Sequence, residues 1–223
     1  LLAYLASRWD RPVVEDELIE LFWPEARGTG KRNLYVAATT LRKALRPNQE
    51  AKEVDFVVRH QNRLGLNLQL PIWHDASEAE SAWSKAQEAL RVSNFADACD
   101  CFRQLCELSG GDFLEGCYLD WAVRRRSQWA ERFSQAALHL CKAALDRKAW
   151  DESIEWARRS LEWEPADLDA HQALLRAYLG QRQPEAVIRG FEAAAQRLKR
   201  DYEMEPSTEM LELYHRARHG IYS

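Results

Sequence analysis

The chain has 223 residues, with 31 Lys and Arg against 35 Asp and Glu, and 46% of its residues are hydrophobic. This composition is typical of a soluble globular protein with one large or two small cores, and it excludes fibrous, collagen-like and disordered chains. No stretch reaches the roughly 18 apolar residues of a membrane span, and no secretion signal is visible, so we expect a cytoplasmic protein that binds no membrane. The first residue, Leu1, already lies within a helical pattern, which predicts a piece of a longer chain.

Neither the cysteines nor the histidines form a predicted metal or catalytic site. The five cysteines are an odd number and fall in predicted helices, which favours reduced thiols in a core. Cys99 and Cys101 are two residues apart and so point to different sides of a helix. No second pair of ligands lies at a zinc-like spacing from these two residues and Cys106. His215 and His219 share a helix face without a suitably spaced carboxylate. Phosphate-binding and nucleophile motifs are also absent, so we expect a protein that is not an enzyme and uses no cofactor.

The first predicted elements are short helices. The stretch EDELIELFWPE (15–25) reads as a short helix followed by a turn. Its three leading acids lie at a helix N-terminus, where the helix dipole favours negative charge. A loop rich in Gly and Pro, from Pro24 to Gly30, separates it from the next helix.

Basic charge collects on that next helix, KRNLYVAATTLRKALR (31–46), which has five Lys and Arg residues and no carboxylate, with Arg27 a sixth cation just upstream. A helical wheel predicts a packing face opposite a polar face. The packing face comprises Leu34, Ala37, Ala38, Leu41, Ala44 and Leu45, and the polar face comprises Arg32, Tyr35, Val36, Thr39, Arg42, Lys43 and Arg46. A solvated helix normally mixes both signs of charge, so this pattern favours contact with a polyanion over a solvated charge run.

A β-hairpin follows the basic helix. Phe56, Val57 and Val58 precede a polar turn at 60–62, and alternating Leu64, Leu66 and Leu68 predict the second strand. A support helix, a basic helix and a hairpin with a basic tip form the winged arrangement that holds a DNA duplex.

The pattern after Pro71 is helical almost to the end. We predict helices over 76–92, 95–108, 119–147, 151–163, 167–181, 184–201 and 207–220. Overlaying 148–165 on 182–199 aligns their apolar positions at a shift of 34 residues, which is the period of tetratricopeptide (TPR) helix pairs. Such pairs bury their apolar faces by stacking, and arrays of them mainly bind other proteins. The sequence thus predicts a mainly α fold of two domains, 1–70 and 71–223.

Several stretches make a family resemblance specific. The run R-P-V-x-x-x-x-L-I-x-x-x-W ends at Trp23, and L-R-K-A-L ends the basic helix at Leu45. These resemble the OmpR-like winged helix-turn-helix of the Streptomyces antibiotic regulatory protein (SARP) family, without its N-terminal strands, so that three helices and a hairpin wing remain. The second half, notably GGDFLEG, DWAVRRRSQWAER and the E-P-S that begins at Glu205, resembles that family's bacterial transcriptional activator domain (BTAD).

The resemblance implies a transcription activator. Its winged domain is expected to bind repeated promoter elements in double-stranded DNA, and its helical domain to support a homodimer and to contact RNA polymerase or another protein. From the residues themselves we predict three groups of DNA contacts. Arg32, Tyr35, Thr39 and Lys43 face the groove; Lys31, Arg42 and Arg46 meet flanking phosphates; Arg59, His60, Asn62 and Arg63 form the wing.

The alternative is a protein-interaction or sensor module of a larger signalling protein, with the same fold and no contact to DNA. The family often has Arg where this chain has Tyr35 and Thr40, and residues 71–223 hold 26 Asp and Glu against 20 Lys and Arg. Both features favour the alternative, whereas the order of the domains favours the regulator.

Overall fold

The structure is a computed structural model that describes residues 1–26, 28–46 and 55–221. Arg27, the sixth predicted cation, lies outside them. The chain divides into two compact units, Leu1–Glu78 (unit 1) and Ala79–Ser223 (unit 2). The predicted mainly α fold, a winged helix-turn-helix followed by helical repeats, is confirmed.

Unit 1 contains three helices and a small antiparallel sheet. Its elements are α1 (Leu2–Ser7), β1 (Val13–Val14), α2 (Glu15–Phe22), α3 (Gly30–Leu45), β2 (Val57–His60) and β3 (Arg63–Leu66). The strand order is β1-β3-β2, with Val13 opposite Leu64 and Val57 opposite Leu66. The sequence did not predict β1, because two residues are too few to show a period.

The second strand of the hairpin is shorter than predicted. Its Leu64 and Leu66 are buried, but Leu68 lies beyond the strand and is 57% exposed. The strand ends because Asn67 begins a turn, in which its side-chain oxygen accepts a hydrogen bond from the Gln69 amide at 3.1 Å. Gly65, between the two leucines, is also buried, since a Cβ there would lie only 2.9 Å from Cα of Pro12.

Helices make up most of the remaining described residues. They are α4 (Asp75–Arg91), α5 (Phe95–Glu107), α6 (Asp120–Asp146), α7 (Trp150–Trp163), α8 (Leu168–Gly180), α9 (Pro184–Tyr202) and α10 (Thr208–Arg218). Each predicted helix is present, with its ends within two residues of the prediction. In the part of the chain that the structure describes, no helix is long and apolar enough to cross a membrane.

The turns inside the helix pairs repeat one backbone geometry. Ser93, Lys148 and Arg182 each have a left-handed φ of 57° or 58°. After each of them the next amide donates to a carbonyl five residues back, which is a Schellman-type helix end. These bonds run from Asn94 to Ala89 (2.8 Å), from Ala149 to Ala144 (2.9 Å) and from Gln183 to Tyr178 (3.0 Å). Lys148 and Arg182 lie 34 residues apart, the shift that aligns the two sequence stretches.

Aromatic rings and arginines pack between the helices of unit 2. Arg132 lies over the rings of Trp83 and Trp129, at 5.4 and 5.1 Å from their centroids. Glu80 accepts hydrogen bonds from Arg132 at 2.9 Å and from Arg125 at 3.2 Å. Cation–π contacts and a shared carboxylate thus join α4 to α6, and the guanidinium groups cover apolar surface between them.

Gly180 sets how closely α8 approaches α7. A Cβ at Gly180 would lie 2.8 Å from the indole of Trp150. We therefore expect Gly180→Ala to lower the free energy of unfolding by about 1–2 kcal/mol, because overpacking outweighs the gain in helix propensity. Gly190→Ala is the matched control, since its Cβ would meet a Leu175 methyl at 3.2 Å, which can yield. Denaturant unfolding checks both, and equal effects would contradict the packing argument.

Candidate nucleic-acid interface

The helix α3 packs on the rest of unit 1 along a narrow stripe. Its most buried residues are Gly30, Leu34 and Ala38, spaced four apart. A Cβ on Gly30 would collide with the Ile19 side chain, so this glycine lets α3 begin directly against α2. The prediction that Ala44 lies on the packing face is wrong, because Ala44 is exposed. The stripe drifts around the helix, and Ala44 lies about 120° from Ala38 at 100° per residue.

The outward face of α3 consists of Arg32, Val36, Thr39 and Lys43, which lie within about 60° of one another around the helix. All four are exposed. Within the described residues, Arg32 and Lys43 form no ion pair or hydrogen bond, and neither does Lys31 in the first turn. Since α3 contains no acid, this face presents two unpaired cations beside a hydroxyl and a branched apolar side chain, and Lys31 adds a third exposed cation in the first turn.

A second set of predicted contact residues is engaged inside unit 1. Glu15, the first residue of α2, is only 1% exposed. Its Oε1 accepts a hydrogen bond from Nε of Arg59, and its Oε2 accepts from Nη2 of Arg59 at 3.2 Å. The Tyr35 hydroxyl donates to the same Oε2 at 3.3 Å and accepts from Nη2 of Arg59 at 2.8 Å. We call these three residues the Glu15 cluster; it joins α2, α3 and β2.

Three other predicted cations also contact unit 1 itself. Nε of Arg42 donates to the Val57 carbonyl at 2.7 Å, which fixes α3 to β2. Nη2 of Arg46 lies 3.5 Å from a carboxylate oxygen of Asp55. Nη1 of Arg63 donates to the Pro12 carbonyl at 3.1 Å. These arginines hold the hairpin, and each has fewer hydrogens left for a phosphate than the sequence alone suggested.

The wing is short. Its turn contains only Gln61 and Asn62, since His60 pairs with Arg63 across the hairpin. The Asn62 carbonyl accepts a hydrogen bond from the Glu15 amide at 2.9 Å, so the turn lies against the N-terminus of α2. The side chains of His60 and Asn62 are exposed there. The predicted wing residues thus stand beside the start of α2 on a hairpin with four residues in each strand.

Acidification should loosen unit 1 through Glu15. The hydrogen bond from Arg59 is the main cause that lowers the pKa of this carboxyl below its ordinary 4.5. Its contribution to stability is therefore complete above about pH 4.5 and is lost as the pH falls from there through the folded-state pKa. At neutral pH the amides of α2 and α3 should exchange faster in Glu15→Gln than in the wild type. In acid this difference in exchange rate should become smaller. An equal difference at both pH values would contradict this role.

Sequence reasoning missed the Glu15 cluster. The acids at 15–17 were assigned to the start of a helix, which is also true, because Glu15 is the first residue of α2. Its partners are 20 and 44 residues away, and no local pattern links residues so far apart. The apolar residues Val13 and Leu18 on either side of it were the available signal, since both lie in the core and a charge between core residues requires a partner.

Comparison with protein families finds a match over the second part of the chain. The family described as the bacterial transcriptional activator domain matches residues 74–218, which is more than half of the chain. No curated protein sequence matches significantly.

One solved structure shows the same fold. EmbR of Mycobacterium tuberculosis, solved in complex with a low-affinity phosphopeptide, is similar to this chain with a TM-score of 0.72 and 16% identity, over 98% of this chain and 57% of EmbR. The chain therefore spans little more than half the length of that protein. The TPR2B domain of yeast Sti1 in complex with pHsp70 aligns with 64% of this chain and 98% of its own, at 14% identity and a TM-score of 0.44. The C-terminal TPR-containing domain of an FK506-binding protein of Plasmodium falciparum aligns with 66% of this chain and 92% of its own, at 13% and 0.47.

Proposed function

Because this chain belongs to the bacterial transcriptional activator domain family, we propose that it is a transcription activator whose unit 1 binds double-stranded DNA through α3. The resemblance to SARP-type regulators agrees with the family match and with the fold of EmbR. In this proposal Arg32, Thr39 and Lys43 face the major groove, where the two cations also neutralise phosphates along its edges, and Lys31 meets a flanking phosphate. Helical unit 2 contacts RNA polymerase or a second copy of the chain.

One observation supports DNA binding most directly: α3 exposes three cations that form no ion pair or hydrogen bond within the described residues, on a helix without any acid. Phosphates dominate the affinity of proteins for DNA, and Lys and Arg supply that term. An α-helix also fits the major groove, where Arg, Lys and Thr side chains reach base edges. The contacts of Arg42 and Arg59 assign these two arginines to holding the hairpin on α3, and they serve the interface by fixing its shape.

One observation favours a second function. Val36, in the middle of the outward face of α3, is 60% exposed, and the turn of the wing is bonded to the start of α2. A helix with an apolar residue between two cations also suits an acidic protein surface. In that case unit 1 is a protein-interaction module and no duplex binds.

Hydrogen exchange with and without a mixed-sequence duplex separates these functions. If α3 lies in the groove, the amides of this helix and of the hairpin beside it exchange more slowly in the complex than in the free chain. We expect the added protection in α3 and in the β2–β3 hairpin of the whole chain. Absence of any change in unit 1 at low salt would rule out the DNA-binding function and leave the interaction module.

A further inference from the structure

Three of the five N–H donors of Arg59 are engaged inside unit 1. A guanidinium recognises a phosphate best through one of its edges, with two parallel N–H groups. The edge formed by Nε and Nη2 faces both oxygens of Glu15. The other edge needs Nη2 again, and Nη2 also donates to the Tyr35 hydroxyl at 2.8 Å. Only Nη1 forms no hydrogen bond within the described residues of unit 1, so a two-pronged phosphate contact requires Arg59 to leave Glu15 or Tyr35.

The hydroxyl hydrogen of Tyr35 is also engaged within unit 1. Its hydroxyl accepts one hydrogen bond from Arg59 and donates one to Glu15, and the guanidinium carbon of Arg59 lies 4.9 Å from the centre of its ring. A phenol has a single hydrogen to donate. For a phosphate to receive it, the bond to Glu15 must break, although the ring itself is part of the exposed surface of α3.

Glu15 cannot move aside to release these two residues. It is the first residue of α2, where the helix dipole favours its charge, and its amide is bonded to the Asn62 carbonyl at 2.9 Å. Its carboxylate is buried, next to a cavity of about 190 Å³ between α3 and the hairpin that Tyr35, Thr39 and Arg59 also line. A buried carboxylate that lost its guanidinium partner would be strongly destabilised.

We propose that Glu15 is a positioning residue that acts as an internal anion: it occupies the donors of Arg59 and Tyr35 that would otherwise bind a DNA phosphate. This inference rests on the proposed DNA binding. The pair of Glu15 and Arg59 has no net charge, so the cations that neutralise phosphates are Lys31, Arg32 and Lys43. Fewer phosphate contacts weaken sequence-independent binding, and discrimination then depends more on the base contacts of α3.

The test is the salt dependence of duplex binding by the Glu15→Gln variant of the whole chain. Glutamine keeps the size of the side chain and one carbonyl acceptor but removes the charge, so Arg59 becomes available. Measured by fluorescence anisotropy on a mixed-sequence duplex, log K against log salt should become steeper by about 0.9, the value for one more neutralised phosphate. When the salt is raised from about 50 to 200 mM, the variant should therefore lose about 3.5-fold more affinity than the wild type loses.

Glu17→Gln is the matched control. Glu17 lies on the same helix, bears the same charge and is bonded to Tyr4 at 2.6 Å, away from the cluster. Its slope should equal that of the wild type. In the double variant Glu15→Gln/Arg59→Ala the extra slope should disappear, because Arg59 is its source. An unchanged or shallower slope for Glu15→Gln, while the wild type binds, overturns the internal anion and leaves the DNA-binding function standing.

Tyr35→Phe provides a second test that does not depend on the folding of Glu15→Gln. Removal of the hydroxyl also releases one hydrogen of Arg59 Nη2 and deletes no phosphate contact if the inference is correct. Duplex affinity should therefore stay the same or rise. A clear loss of affinity would show that the hydroxyl binds DNA, which contradicts the inference. If the wild type binds no duplex at low salt, the proposed function and this inference fail together.

Discussion

Replacing Arg32 and Lys43 by alanine together should weaken duplex binding about 60-fold at 0.1 M salt, because each neutralised phosphate contributes about eightfold through counterion release at that concentration. Both side chains are exposed on the outward face of α3 and are unpaired within the described residues. The slope of log K against log salt should also fall by about 1.8. Fluorescence anisotropy over a salt series measures both quantities in one experiment.

The matched control for this pair is Lys85→Ala/Arg176→Ala. These two residues lie in α4 and α8, are exposed, and form no ion pair within the described residues. The control removes the same charge from unit 2, so it should change affinity less than twofold. Equal losses in the two double variants would mean that only net charge matters, and the assignment of α3 as the interface would be wrong.

The largest expected effect on stability is at Phe102. Its side chain is fully buried in α5, stacked on the His139 ring of α6 at 5.1 Å between centroids and 6.0 Å from the Trp83 ring of α4. Phe102→Ala should lower the free energy of unfolding of unit 2 by about 3–5 kcal/mol, since it removes a whole ring and leaves a cavity where three helices meet. Denaturant unfolding followed by far-UV circular dichroism measures this loss.

Phe95 provides the comparison on the same helix. It is the first residue of α5 and is 67% exposed, so Phe95→Ala should change the free energy of unfolding by less than about 0.5 kcal/mol. The two substitutions delete the same atoms and differ only in burial. Similar losses at both positions would contradict the assignment of α5 to the core of unit 2.

The helices of unit 2 were predictable because their signals are local. Apolar residues recur at helical spacing, and prolines mark two of the starts, including Pro184 at the first position of α9. The 34-residue repeat extends this reading to tertiary structure, because repeated helix pairs stack on their neighbours. The left-handed turn residues Lys148 and Arg182 are one further consequence of that repeat, which residue type alone would not reveal.

The candidate interface was predictable only in part. The charge asymmetry of α3 indicates which helix is exposed, and a helical wheel orders its residues. The helical wheel cannot show that Tyr35 is bonded to a residue of α2, or that Arg59 of β2 is bonded to the same carboxylate. Such contacts depend on how the hairpin packs on the helices. The sequence therefore could not show that several of the side chains predicted to contact DNA also hold the hairpin in place.

The most direct test of DNA binding is the salt dependence of the wild-type chain on a mixed-sequence duplex. With Lys31, Arg32 and Lys43 as the phosphate-neutralising cations, the slope of log K against log salt should be about −2.7, at about 0.9 for each phosphate. Binding with a slope near zero, or no binding at low salt, would contradict a DNA-binding face on α3.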